Sequence, residues 1–518
     1  MARSLQNATL AAAFLAAFAT RPARGEGPAL AVELRHPDRQ LARLLGLFEG
    51  TPTPSPAAAL AAWKLAAPPG SPRSLGKGAE AAIAALNPEM VRELAALEGA
   101  SFHLAIDDAG HWRWSLAAPH DDGTLRAAVV AIALTDGGPE PPIAGRPVDR
   151  LGPPGSALAA TGRRGLAIGD RPESLATALA RLDAPPASSP DAQPGWSARL
   201  DAVELARSES IEARRIAAGL AALGLAGADL TLRPVGVDTI ELVATGLHRA
   251  KAPPRPAANS ALDPGWLDLV PADHAAASIA VALGPDRDAL ALLFAAADAV
   301  ERADPAHADV APLRTRLNVL ALGVGLRPEA ELWPRLRGVT AWVARGDDGG
   351  VLALHATDPE SADALARRIV PQLVGVLSRS RPAGRPAVVD GGPPLPIGQF
   401  RGRLVEVARR GSTVVVGWGA SRASQALAGL DDPARSAGDR LRAGWPADRP
   451  PSACLAAWPD RLVTDPAVAD AIRGVPPVVG WTGADPAGMP ITALSWSGLR
   501  PSVRRALDRL DLGPEGRR

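Results

Sequence analysis

The sequence predicts an α+β protein built as two tandem copies of one module, with mainly antiparallel sheets and helices packed on one face. Three observations predict it. Blocks of sequence recur in the same order at offsets of 240 to 249. Alternating apolar runs come in pairs joined by short turns, the pattern of antiparallel hairpins. Helical patterns are interspersed between those pairs, which adds a helical layer to each sheet.

The chain opens with a segment that reads as a signal peptide. Arg3 precedes an apolar stretch, Ala8 to Ala19, broken only by Thr9. At about twelve residues it is too short to span a bilayer. Small residues suited to cleavage occur at Ala17-Phe18-Ala19 and Ala23-Arg24-Gly25. Export is therefore expected, to the periplasm or the medium. No later segment reads as transmembrane.

The first copy, residues 26–255, begins with an alternating strand from Leu30 to Leu34. Pro37 and Asp38 then suit the first turn of a helix, where Pro lacks no needed N–H and an acid meets the helix dipole. Asp107-Asp-Ala-Gly110 separates two alternating runs and reads as a hairpin turn. A strand pair and a short amphipathic helix follow, the helix around Ser174–Asp183. The copy closes with a strand at 197–204, a helix at 209–224 and strands at 227–233 and 238–245.

The second copy, residues 256–518, repeats this order. Ala31–Arg39 matches Ala280–Arg287 with one residue missing. Asp107–Pro119 matches Asp347–Pro359 without a gap. Ser174–Asp183 matches Arg422–Asp431. Three ordered blocks of this kind are the signature of an internal repeat. Strands are expected at 452–458, 476–482 and 490–497, a helix at 464–473 and a closing helix near 501–510. Lys251–Pro264, rich in proline, falls between the copies and reads as the linker.

Composition narrows the function classes. The formal charge is +1, from 56 basic and 55 acidic residues. Removing residues 1–25 takes away Arg3, Arg21 and Arg24 and no acid, leaving −2. With no basic run or stripe, no nucleic-acid partner is expected. Cys454 is the only cysteine, so an intrachain disulfide and a cysteine-rich zinc site are excluded. Its apolar neighbours mark it as a buried, inert thiol.

The motifs carry little chemistry. A phosphate loop, a G-x-S-x-G elbow and an H-E-x-x-H helix are absent. Gly417-Trp-Gly419 stands between a strand and a helix, but Arg422 occupies the place of a third glycine, and a plain strand-to-helix turn is the better reading. Trp112 and Trp114 share a strand face and suit a stacking platform. The repeat sets them opposite Leu352 and Leu354, which favours core packing. Asp107-Asp108 and Asp347-Asp348 lack the alternating oxygen ligands of a calcium loop and read as turns. Arg345-Gly-Asp347 spells an adhesion tripeptide but overlaps the hairpin. His103, His111 and His355 align with Val343, Val351 and Ser115, so none recurs in the other copy. The sequence assigns no catalytic residue, cofactor or metal.

Leu267-Asp-Leu-Val-Pro-Ala-Asp273, leading into a strand that ends at Leu283, resembles the opening of an exported bacterial domain family of unknown function. Ala31–Leu45 is similar to openings seen in related proteins. The resemblance implies a signal peptide and α+β modules, and it brings no catalytic residues with it.

Two functions fit. The favoured one is a non-catalytic binding or scaffolding protein of the cell envelope, with an envelope or extracellular partner. The alternative is an extracytoplasmic hydrolase whose site is assembled from sequence-distant residues.

Overall fold

The computed structural model describes residues 28–49, 92, 96–120, 138–184, 195–248, 261–377, 387–484, 490–501 and 504, with short gaps inside these ranges. The N-terminal segment read as a signal peptide lies outside the described residues. So do most of the linker, most of the helix expected at 464–473 and most of the closing helix. The chain divides into two compact units, Met1–Ala250 with Leu499–Arg518, and Lys251–Gly498.

The first unit holds β1 (Leu30–Arg35), α1 (Pro37–Gly46), β2 (Gly99–Ile106), β3 (Trp112–Pro119), β4 (Pro139–Ile143), β5 (Arg146–Arg150), β6 (Leu158–Thr161) and β7 (Gly165–Gly169). It continues with α2 (Pro172–Asp183), β8 (Gly195–Asp201), α3 (Ala202–Ala206), α4 (Ile211–Ala222), β9 (Leu225–Val235) and β10 (Thr239–His248). Among the described residues these strands form one antiparallel sheet in the order β10-β9-β8-β1-β2-β3-β7-β6-β5-β4. β1 lies inside it, with Leu30 opposite Leu104 on one side and Leu200 on the other.

The second unit opens with a 3₁₀ turn (Pro264–Leu269), then β11 (Ala275–Ala282), α5 (Asp288–Arg302), α6 (Leu313–Leu322), β12 (Leu336–Ala344) and β13 (Gly350–Ala356). A helix follows as α7 (Pro359–Ala364), a π-helical turn and α8 (Val370–Leu377). Next come β14 (Leu395–Phe400), β15 (Arg403–Arg410), β16 (Thr413–Trp418), α9 (Arg422–Asp431), α10 (Gly438–Arg442), β17 (Ala453–Ala457), α11 (Pro459–Leu462), β18 (Val478–Ala484) and β19 (Pro490–Trp496). Its sheet is also antiparallel, in the order β19-β18-β17-β11-β12-β13-β16-β15-β14.

The fold is α+β with large antiparallel sheets, and the helices cover both faces rather than the one expected. Side chains alternate between faces along a strand. Ala353 and Val415 pack with Leu427 of α9, while Leu354, Val414 and Val416 pack with Leu365 and Val374 of the α7–α8 segment. In the first unit, Ala117 and Ala167 meet Leu175 and Leu179 of α2. Ile106 and Trp112, on the other face, meet Leu205 of α3 and Ala217 of α4. The cause is visible in β16, where Val414, Val415 and Val416 follow one another, so both faces are apolar and both need cover.

The strand expected at 197–204 ends at Asp201. The Asp201 carboxylate accepts from the N–H groups of Val203 at 2.8 Å and Glu204 at 3.1 Å, an N-cap that starts α3.

Candidate functional site

A cleft of about 410 Å³ opens at one end of the second unit's sheet. Its walls come from segments far apart in sequence that the topology gathers at one edge. The loop entering β11 supplies Asp273 and His274. The β12–β13 turn supplies Arg345 and Asp348. α9 contributes its first residue, Arg422, and α11 contributes Asp460 and Arg461. Arg473 lines it from the turn before β18.

The guanidiniums are held by neutral acceptors. Arg461 donates to the carbonyls of Ala275 at 2.7 Å and Ala272 at 2.8 Å. It also lies 5.5 Å from the centre of the Trp458 ring. Burial shifts its pKa below the ordinary arginine value, against the pull of Asp460 and Asp273. Arg422 donates to the Asp348 carbonyl at 3.2 Å and to Gln425 Oε1 at 2.9 Å. Arg345 is exposed. Among the described residues, no carboxylate forms an ion pair with Arg345, Arg422 or Arg461.

The acids are less committed. Asp348 reaches Arg403 only at 4.0 Å. Asp460 Oδ2 accepts from the N–H of Gly474 at 3.1 Å, while its buried Oδ1 has no partner. The lining therefore offers fixed donors from arginine beside an open acceptor. Among the described residues, its lining contains no hydroxyl or thiol side chain. A fixed guanidinium fork suits a carboxylate or phosphate, and charge-assisted bonds there are about twice as strong as neutral ones.

In the first unit, charged groups pair with one another around the β2–β3 hairpin. Arg113, buried, lies between Asp107, with which it forms a short ion pair, and Asp170 at 3.8 Å. Asp170 Oδ1 also accepts from the Trp114 N–H at 3.1 Å and the Ser174 hydroxyl at 2.8 Å. Burial pushes Asp107 up, but the His111 N–H and the Arg113 charge outweigh it and hold the carboxyl below its usual value. Asp170 goes the other way, because burial outweighs Ser174 and Arg113. Nearby, Arg207 bridges Asp108 and Glu204, each at 3.0 Å.

The residues singled out in the sequence fall in ordinary structural places. Trp114 stacks on Phe102 at 6.3 Å. His355 is buried between the Thr340 and Thr413 hydroxyls, at 2.9 and 3.1 Å, under the Trp266 ring. Burial, with Arg337 adding to it, lowers its pKa to about 3. His103 is lowered to about 4 by burial and by Arg181. Burial raises Cys454 to about 11, so it is a protonated core thiol. Asp347 lies outside the described residues. Arg345 and Arg422 line the cleft. Sequence reasoning missed Asp460, Arg461 and Arg473. A half-signal existed in the charged pair Asp460-Arg461 directly after a predicted strand.

No protein-family model matches the chain, and no curated protein matches it. Two solved structures are similar to part of it, crystal forms IV and III of TP0453. Each is 8% identical with a TM-score of 0.24, covering 43% and 44% of this chain and 78% and 80% of the other. A likeness at that level carries no argument about function. Among the described residues, no helix is long and apolar enough to cross a membrane.

Proposed function

We propose that this chain is an exported, non-catalytic binding protein of the cell envelope, made of two tandem copies of one module, and that it holds an anionic ligand in the cleft of its second unit. The observation that carries this reading is that Arg422 and Arg461 donate to neutral acceptors and form no ion pair among the described residues. A partly buried cation without a directly paired counter-ion is costly. An arriving carboxylate or phosphate removes that cost and finds the donors already oriented. The cleft volume lies within the roughly 300–1,000 Å³ of ligand sites.

Binding without catalysis is favoured by the chemistry of the lining. Among the described residues it has no hydroxyl or thiol nucleophile. His274 and the three carboxylates make no hydrogen bond with one another among the described residues. Among the described residues, then, no general acid and base pair of the kind the hydrolase alternative needs comes together.

Duplication is supported by the common strand order, the first unit's sheet carrying one extra edge strand. It is also supported by two glycines. Gly169 is the last residue and Gly417 the last but one of the strand before a helix. A Cβ would lie 2.4 Å from the Leu175 nitrogen at the first and 2.5 Å from the Ala423 nitrogen at the second. Export rests on the N-terminal segment and on the resemblance to exported α+β proteins.

Thermal unfolding of the full chain with inorganic phosphate and with citrate tests the site. The reading expects at least one of them to raise Tm in the wild type and not in an Arg345→Gln/Arg422→Gln double variant. Equal responses in both proteins would place the anion elsewhere. The N-terminal mass of chain recovered from fractionated cells tests export. A start after Ala19 or Gly25 supports it, and an intact Met1 in the cytosol removes it.

A further inference from the structure

We infer that the end strands β4 and β14 are shut against strand addition by prolines whose missing N–H groups would face the free side of each sheet, so that a second copy of this chain cannot pair there. An edge strand presents unpaired N–H and C=O groups, a ready template for another strand. Among the described residues, β4 pairs only with β5, and β14 only with β15. Both strands therefore carry that hazard.

The direction of each backbone group follows from the ladder. In an antiparallel sheet, successive residues of a strand bond alternately to one neighbour and to the other. In β15 the Leu404 carbonyl accepts from the Gly419 N–H at 2.9 Å, on the β16 side. Glu406, two residues on, also turns to β16, where it lies opposite Gly417. Pro396 of β14 lies opposite Glu406, and Gln399 opposite Leu404. Their backbone groups thus point away from β15, towards the free side. At the first of these two positions proline leaves no N–H to offer.

The first unit follows the same rule. The Arg150 N–H donates to the Gly138 carbonyl at 2.9 Å, and the Leu151 N–H to the Ala157 carbonyl at 2.8 Å. Even-numbered residues of β5 therefore turn to β4 and odd-numbered ones to β6. Pro139 lies opposite Asp149 and so points to the free side. The register then shifts between Glu140 and Ile143, and the residues within the shift are Pro141 and Pro142. β14 is irregular in the same way, between Pro396 and Gly398. Such bulges twist an edge and end regular pairing. All four prolines are exposed.

The turns fix this phase. Ala144 and Gly145 have φ of 50° and 71°, and Arg401 and Gly402 have φ of 51° and 76°. Both hairpins thus close through two residues of positive φ, the turn that matches strand twist and sets register. The strands bonded on both sides in the second unit's sheet, β11, β12, β13, β15, β16, β17 and β18, contain no proline. Proline is kept out where its N–H is needed and stands where an N–H would be a liability.

The test measures the mass of the full chain by light scattering after size-exclusion chromatography. Pro139→Val/Pro141→Val/Pro396→Val returns the N–H groups in residues that favour strands. This variant is expected to self-associate, with a weight-average mass at least about twice that of the wild type, the smallest step that adds a copy. Pro139→Lys/Pro141→Lys/Pro396→Lys loses the same rings but sets charge along the same edges, which blocks pairing by another route. It is expected to keep the wild-type mass. Damage to the fold from losing proline would appear in both variants. A valine variant of wild-type mass would overturn the inference, and so would a lysine variant that associates as the valine one does.

Discussion

At the residue scale, single side chains explain why particular positions tolerate so little change. Gly417 attracted attention in the sequence as part of a glycine-rich turn, and its actual role is close approach. The helix that follows passes so near that no side chain fits, and Gly169 repeats the arrangement. Gly169→Ala and Gly417→Ala should each cost roughly 1–3 kcal/mol through overpacking. Urea unfolding checks this, and an unchanged midpoint would refute the contact. His355 gives a pH prediction. Its folded pKa of about 3 lies below the ordinary 6.5. Between those values the unfolded state binds more protons, so stability rises with pH and is lost as pH falls from 6.5 towards 3. Removing the group in His355→Gln should flatten the slope between pH 4 and 6 by up to about 1.4 kcal/mol per pH unit. Parallel slopes for the two proteins would show that His355 is not the titrating group. Sequence could flag this histidine but not its burial, because Thr340, Thr413 and Trp266 meet it only through sheet pairing and a 3₁₀ turn.

At the element scale, local patterns were legible and long-range consequences were not. The strand from Leu30, the helix at Pro172–Asp183 and both hairpins were readable from alternation, proline and turn residues. The Asp-Asp-x-Gly match placed Asp107–Pro119 on Asp347–Pro359. In the sheets, however, Ser115 faces Gly169 and Val351 faces Gly417, so the strands after the turns correspond at an offset of 236 rather than 240. The shared residues reflect turn chemistry, which recurs wherever a hairpin reverses. The two hairpins also do different work. In the first, Asp107 both shapes the turn, accepting from the Ala109 and His111 N–H groups, and pairs with buried Arg113. Arg113→Ala would leave Asp107 and Asp170 facing each other without a cation, at a cost of about 3–5 kcal/mol. Chemical denaturation measures that loss, and a change under about 1 kcal/mol would show the pair to be incidental.

At the scale of the whole molecule, the two sheets share a common strand order, and the second unit carries at one end of its sheet a cleft lined by Arg345, Arg422 and Arg461. Such a site is hidden in a linear reading. Asp273, Arg345, Arg422 and Arg461 are far apart in sequence, and only the order β17-β11-β12 with α9 beside β16 brings them together. Near-zero net charge concealed it too, because Asp273, Asp348 and Asp460 stand beside the arginines in the cleft itself. Calorimetric titration of the full chain with inorganic phosphate and with citrate tests the anion cleft most directly. The account predicts saturable binding of at least one of them, one anion per chain, with the heat lost in the Arg345→Gln/Arg422→Gln variant. Two equivalent sites per chain, or a full signal in that variant, would contradict it.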